Sequence, residues 1–193
     1  MNDLADIRRE YEHGDLDESQ MLADPFDQLR AWLDAAVETK QPEPTAMTLA
    51  TATADGRPSA RTVLLKGVDE RGLLFFTNMD SRKAKELAEN PQAAVVLYWA
   101  GLERQVRVTG EVTATSRAEV EAYHERRPRQ SQLAAAASRQ SELIADRDEL
   151  QRRFAEAAEQ YEGQQVPCPA FWGGYRIAPD AFEFWQGRAN RLH

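Results

Sequence analysis

Two cations sit where a helix should begin. In TNMDSRKAKELAENP, residues 77–91, a strand-like run gives way to a helical one, with Asp80 or Ser81 placed to cap it and Arg82 and Lys83 in its first turn. Helix N-termini carry partial positive charge and favour acids, so two cations there cost stability unless an anion joins them. A phosphate would resolve the conflict, because free N–H groups, a cap hydroxyl and both cations would converge on it. The plainer alternative is a solvated pair of surface cations, since a single misplaced charge is worth only about 0.3–1 kcal/mol.

Three further clusters have the same character. ARTVLLKG at 60–67 puts Arg61 and Lys66 at the two ends of an apolar strand segment. In a regular strand they face opposite ways and serve different partners unless a bulge intervenes; alternatively both simply mark strand ends. AYHERRPRQSQ at 122–132 repeats a phenol, a guanidinium and a hydroxyl at intervals of four, Tyr123, Arg127 and Ser131, a good phosphate set if they line one side of a helix and its continuation. A basic exposed helix end is the competing reading, because cations are favoured there. The chain closes on FWGGYRIAPDAFEFWQGRANRLH, in which Trp172, Trp185, Arg188, Arg191 and His193 crowd together. Termini usually carry solvated, tolerant sequence, so this ending reads as part of a ligand site.

The elements that must position these groups are legible in outline. Residues 3–13 read as a short helix followed by an acidic loop, and Asp24-Pro25 opens a better helix, with Phe26, Leu29, Trp32, Leu33, Ala36 and Val37 on one face until QPEP at 41–44 ends it. From Thr45 the period becomes that of a strand: TAMTLATAT, a turn at Asp55-Gly56, and SARTVLLKGV at 59–68 form a hairpin. Strands are expected at 72–78, 93–99 and 103–113, then a helix opened by a capping box from Ser116 to Glu119 and interrupted at Pro128. An alanine-rich helix follows, then one with Leu150, Phe154, Ala158 and Tyr161 as its stripe and Gly163 as C-cap, and closing strands at 172–178 and 181–187. Consecutive strands with short connections predict a mainly β fold, an antiparallel split β-barrel with surrounding helices. The organisation expected is a mobile N-terminal segment at 1–20 and one domain at 21–193.

Composition removes several function classes. A chain of 193 residues with 42% hydrophobic content suits one core, and no apolar run is long enough to span a membrane or act as a signal peptide, so a cytoplasmic protein is expected. The net charge of −8 argues against nucleic acid as partner, whereas a small anion needs only local positive charge. Cys168 is the one cysteine, so neither an intrachain disulfide nor a thiolate metal cluster is expected, and the thiol reads as packing, with no histidine in an obvious partner motif nearby.

The strings PTAM (44–47), RTVLLK (61–66), FFTNMDSRKAKEL (75–87), LERQVRVTG (102–110), RPRQSQ (127–132), SRQS (138–141), FWGGYR (171–176) and FWQGRANRLH (184–193) occur in this order. Together they resemble the pyridoxine (pyridoxamine) 5′-phosphate oxidase family, from RREY at 8–11 to His193. The resemblance implies an FMN-dependent homodimer that oxidises pyridoxine or pyridoxamine 5′-phosphate to pyridoxal 5′-phosphate by hydride transfer from C4′ to flavin N5. Oxygen takes the electrons as hydrogen peroxide, and the amine releases ammonia. By similarity, Arg61, Thr62, Val63, Leu64, Leu65, Lys66, Phe76, Thr77, Arg82, Lys83 and Gln105 contact FMN, with Gln140, Ser141 and Trp185 completing the site, some from the partner subunit. Lys66, Tyr123, Arg127 and Ser131 would meet the substrate phosphate. Arg191, Leu192 and His193 would lie at the pyridine ring, with Arg191 and His193 catalytic, and Arg8, Arg9, Glu10 and Tyr11 would form a mobile cover. No metal is implied. Two departures stand out: Phe76 occupies a position where tyrosine is common, and the family pattern continues past RLH with Asp-Arg, whose arginine is expected to touch FMN, and a final strand. A flavin- or pyridoxal-phosphate-binding dimer without efficient turnover and a split-barrel flavin reductase with another substrate are the alternatives; Tyr123, Arg127, Ser131, Arg191 and His193 together favour the oxidase over the reductase.

Overall fold

The computed structural model describes residues 10–11 and 16–191, the last of these by its backbone alone. Seven strands, β1 (Ala46–Ala52), β2 (Pro58–Leu64), β3 (Gly67–Asp69), β4 (Gly72–Asn78), β5 (Gln92–Trp99), β6 (Arg104–Ala114) and β7 (Trp172–Gln186), form one sheet in the order β2-β1-β5-β6-β7-β4-β3. Every pairing is antiparallel. The ends of that order belong to strands joined only by Leu65 and Lys66. A flat seven-stranded sheet would hold its outer strands about 29 Å apart, whereas the chain from Leu64 to Gly67 reaches at most about 11 Å. The sheet must therefore curl until its edges meet, which makes it a split barrel. At the seam the backbone changes partner: Leu65 N donates to Thr45 O at 2.8 Å and Lys66 N to Leu74 O at 2.8 Å.

This seam corrects the single strand expected over 59–68. It also removes the parity argument that separated Arg61 from Lys66, because the chain between them is not one regular strand. The two closing strands expected at 172–178 and 181–187 are likewise one element, β7, whose register against β6 shifts at Thr109/Gly110. Pro179 is tolerated at that bulge rather than ending the strand, and Gly110 is required, since a Cβ there would lie 2.0 Å from Ala178 O.

Among the described residues five α-helices surround the sheet: α1 (Pro25–Glu38), α2 (Arg82–Glu89), α3 (Arg117–Arg126), α4 (Arg129–Ala137) and α5 (Arg147–Gln160). Asp24 caps α1 through Phe26 N at 2.7 Å, and Leu29, Trp32 and Ala36 enter the barrel core with Leu49, Phe75, Leu97 and Ile177. Val37, expected on that face, is exposed. Glu119 completes the capping box with Ser116 at the start of α3, and Pro128 separates α3 from α4. A second apolar cluster, Leu133, Ala137, Ala157 and Val166, holds α4 against α5; Leu150 lies outside it, and Tyr161 rather than Gly163 caps α5. The helix expected at 3–13 falls mostly outside the described residues, and Glu10 and Tyr11 are not helical. Among the described residues no helix is long and apolar enough to cross a membrane.

Candidate functional site

A cavity of about 910 Å³ opens at the barrel seam, walled by β2, β4, the start of α2, and α3, α4 and the loop after it. The outer edge of β2 lies along it, because β2 ends the sheet and pairs only with β1. Of the residues nominated for the cofactor, the cavity collects Arg61, Thr62, Val63, Leu64, Lys66, Phe76, Thr77, Arg82, Lys83, Gln140 and Ser141; of those nominated for the substrate phosphate, it collects Lys66, Tyr123, Arg127 and Ser131. Leu65 does not line it but turns into the core, 4% exposed.

The cations at one end are held by a carboxylate that sequence reasoning missed. Glu86, 3% exposed on the inner face of α2, accepts from Arg82 Nε at 2.8 Å, Arg61 Nη2 at 3.2 Å, Ser59 Oγ at 2.6 Å and the Thr51 hydroxyl. Burial alone would raise its pKa, but the bonds from Ser59 and Thr51, and then from the two arginines, override it and hold the carboxyl down at about 2. The i,i+4 spacing of Arg82 and Glu86 was the available signal; its reach to β1 and β2 was not.

Lys83 is 6% exposed, and its ammonium donates to Thr77 Oγ1 at 2.9 Å, Ser81 Oγ at 3.0 Å and Gln140 Oε1 at 2.9 Å. All three acceptors are neutral, and among the described residues no carboxylate lies within ion-pair distance of it. Burial, with the Arg61 charge nearby and partly offset by Glu86, lowers its pKa to about 8. Ser81 is the N-cap of α2 but its hydroxyl makes no cap bond. A buried ammonium beside an α2 N-terminus, without an anion of its own, fits a phosphate monoester.

The other end is aromatic. Phe76 and Tyr123 stack at 4.1 Å and 7°, Trp172 lies parallel to both at 5.4 and 5.9 Å, and the Arg127 guanidinium sits 4.6 Å over the Trp172 ring. Gly174 makes this possible, since a Cβ there would meet the Phe76 ring at 2.7 Å. Among the described residues Arg127 Nη1 is buried with no hydrogen-bond partner. Sequence reasoning nominated neither Trp172 for this wall nor Asn78, Arg126 and Ser138, which also line the cavity.

The remaining nominated residues lie elsewhere. Gln105 and Trp185 are cross-strand partners on β6 and β7 beside Tyr98, and the Tyr11 ring meets Trp185 edge-on at 5.5 Å. Glu10 is exposed. The Arg191 backbone closes a short turn, Ala189–Arg191; its side chain, with Arg8, Arg9, Leu192 and His193, lies outside the described residues. The sequence clusters thus separate into a cavity group and a group near the end of β7.

Fold and cavity define a split-barrel protein with a large cavity lined at both ends by cations. The chain belongs to the pyridoxamine 5′-phosphate oxidase family: residues 33–161 match that family's model, and residues 172–193 match the model of the pyridoxine 5′-phosphate oxidase C-terminal dimerisation region. A pyridoxine/pyridoxamine 5′-phosphate oxidase of Rubrobacter xylanophilus is 56% identical over 191 residues, covering 99% of this chain and 88% of that protein. One of Paraburkholderia phytofirmans is 53% identical over 193 residues, covering 100% of this chain and 90% of its own. Among solved structures, PhzG of Burkholderia lata in complex with tetrahydrophenazine-1-carboxylic acid is similar with TM-score 0.88 and 33% identity, over 94% of this chain and 90% of that one. A pyridoxamine 5′-phosphate oxidase-related, FMN-binding protein of Nostoc punctiforme shares the fold, with TM-score 0.68 and 19% identity over 89% of each chain.

Proposed function

We propose that this chain is a cytoplasmic, homodimeric, FMN-dependent oxidase that converts pyridoxine 5′-phosphate or pyridoxamine 5′-phosphate to pyridoxal 5′-phosphate, with oxygen as acceptor. The observation that carries the reading is the convergence, in one cavity, of two separate phosphate-type sets, Arg61–Arg82–Lys83 and Tyr123–Arg127–Ser131. FMN, when bound, supplies the hydride acceptor and passes the electrons to oxygen, giving hydrogen peroxide. The protein's part is placement and charge. Arg61, Arg82 and Lys83, with Thr77, Gln140 and Ser141, hold the cofactor phosphate and its neighbouring atoms. Lys66, Tyr123, Arg127 and Ser131 hold the substrate phosphate, and Arg191 and His193 orient the pyridine ring at the other end of the substrate. Gln105 and Trp185 do not line the cavity of their own chain, so in this reading a second copy supplies them and the cofactor sits at the subunit interface.

The test is direct: purify the protein, record its flavin spectrum, and follow oxygen uptake and aldehyde formation with pyridoxine 5′-phosphate. A yellow protein that never forms pyridoxal 5′-phosphate would leave only the binding role. A tricyclic carboxylic acid of the kind bound to PhzG, oxidised in preference to the phosphorylated pyridine, would overturn the substrate assignment.

A further inference from the structure

Arginines that bind anions are commonly steadied by a carboxylate, and Arg61 and Arg82 follow that rule through Glu86. Arg127 does not. Among the described residues its side chain makes no ion pair and no hydrogen bond, and Nη1 is buried without a partner. What it touches is a ring: its guanidinium lies 4.6 Å over Trp172, which is 8% exposed and is braced edge-on by His124 at 5.4 Å. The Trp172 plane is set in turn by Phe76 and Tyr123, within 10° of parallel. The acids nearest in sequence do not compensate it: Glu125 is exposed, and Glu121 pairs with Arg117 at 2.8 Å.

We propose that Trp172 is a positioning residue for the substrate phosphate, holding Arg127 by its π face so that the full charge and the N–H groups of the guanidinium stay available to the ligand. The proposal rests on the reading of Arg127 as a phosphate ligand. A carboxylate in the same place would fix the guanidinium equally well but would occupy its donors and offset its charge. An indole face attracts the cation without accepting its planar N–H bonds, and does so more strongly in a desolvated site.

The experiment uses the FMN-loaded dimer with Trp172→Phe, Trp172→Met, Arg127→Ala and the double variant Trp172→Phe/Arg127→Ala. For pyridoxine 5′-phosphate, Trp172→Met is expected to raise KM on the order of tenfold and Trp172→Phe about threefold, with the loss in KM rather than kcat and FMN affinity retained. The inhibition constant of inorganic phosphate should rise in parallel. In the Arg127→Ala background, Trp172→Phe should change KM no further. Independent, additive effects of the two changes, or an unchanged KM in Trp172→Met, would overturn the role of Trp172 while leaving Arg127 as a ligand. An unchanged KM in Arg127→Ala would instead overturn the underlying reading. If Trp172→Met fails to hold FMN, Trp172→Phe and its double variant decide the matter alone.

Discussion

Replacing Glu86 by glutamine tests the architecture of the proposed cofactor end most sharply, because it removes one charge and almost no volume. The carboxylate is 3% exposed and is surrounded by donors: Arg82 on Oε1, and Arg61, Ser59 and Thr51 on Oε2. A glutamine oxygen can serve one side only, and its NH₂ then faces a donor. The cheaper arrangement gives the oxygen to Thr51, Ser59 and Arg61 and turns the NH₂ toward Arg82, whose side chain is 65% exposed and can move into water. Arg61, 21% exposed, still loses its counter-charge. The carboxyl's displacement from 4.5 to about 2 corresponds to roughly 3 kcal/mol between its charged and neutral forms, at the low end of the about 3–5 kcal/mol lost when one member of a buried pair is removed. For a chain of this size that is a fall in Tm of roughly 6–12 °C. The sign of the pH dependence follows from the lowered pKa. Glu86 contributes its stabilisation fully above about pH 4.5 and loses it as pH falls toward about 2. Urea melts of FMN-free wild type and Glu86→Gln, at one protein concentration, should therefore differ by about 3 kcal/mol at pH 7 and converge at low pH. A gap under about 1 kcal/mol at neutral pH, or one that stays constant on acidification, would refute the reasoning.

Lys83, held down at about 8 by burial and the neighbouring Arg61 charge, should make FMN affinity fall by up to about tenfold per pH unit above that point, because binding then requires proton uptake; flavin fluorescence titrations would show the slope, and Lys83→Met should flatten it. The same lowered pKa makes the ligand-free protein gain stability as pH rises from about 8 toward 10.5. Arg176, 8% exposed, bridges Asp69 at 2.6 Å and the capping residue Glu119 at 3.1 Å, so Glu119→Ala should cost about 1–2 kcal/mol in a denaturant melt by removing half of the capping box and a half-exposed ion pair together. Arg191→Ala should lower kcat on the order of 10–100-fold, as expected for one charged hydrogen bond made at the reacting ring. Arg107→Ala, which removes an exposed pair to Glu183 at 3.0 Å, should change it little; equal activity in the two variants would count against a catalytic role for Arg191.

The parts of this molecule that could be read from its sequence are those governed by neighbours in the chain. Strands β4, β5 and β6 announce themselves as β-branched and aromatic runs, and the Ser116–Glu119 box specifies a helix start within four residues. Arg82 and Lys83 stood out because cations in a first helical turn are locally unfavourable. What was not legible depends on contacts between distant segments. The break at Leu65–Lys66 exists because the barrel must close there, and nothing in an apolar run of the β2 type marks it. Pro179-Asp180 looks like a turn locally, yet pairing with β6 carries the strand through on a bulge. Val37 and Leu150 fit their helical stripes but lie beyond the faces those helices bury. Glu86 and Trp172 belong to the same class: one acts across to residues 51, 59 and 61, the other to residue 127.

The two ends of the cavity therefore solve the same electrostatic problem differently. At the proposed cofactor end Arg61 and Arg82 share one buried carboxylate and Lys83 bonds only neutral groups, so the three cations keep two net positive charges near neutral pH. That residue matches a phosphate monoester, which carries about −1.5 to −2 at pH 7, and the carboxylate keeps the set ordered whether or not the anion is present. At the proposed substrate end Arg127 is held by a ring that offsets none of its charge. A site that retains its ligand through many turnovers gains from the first arrangement, since the geometry must not relax between catalytic cycles. One that must bind and release a phosphate each cycle gains from the second, because its affinity then rests on an arginine whose donors are not already engaged.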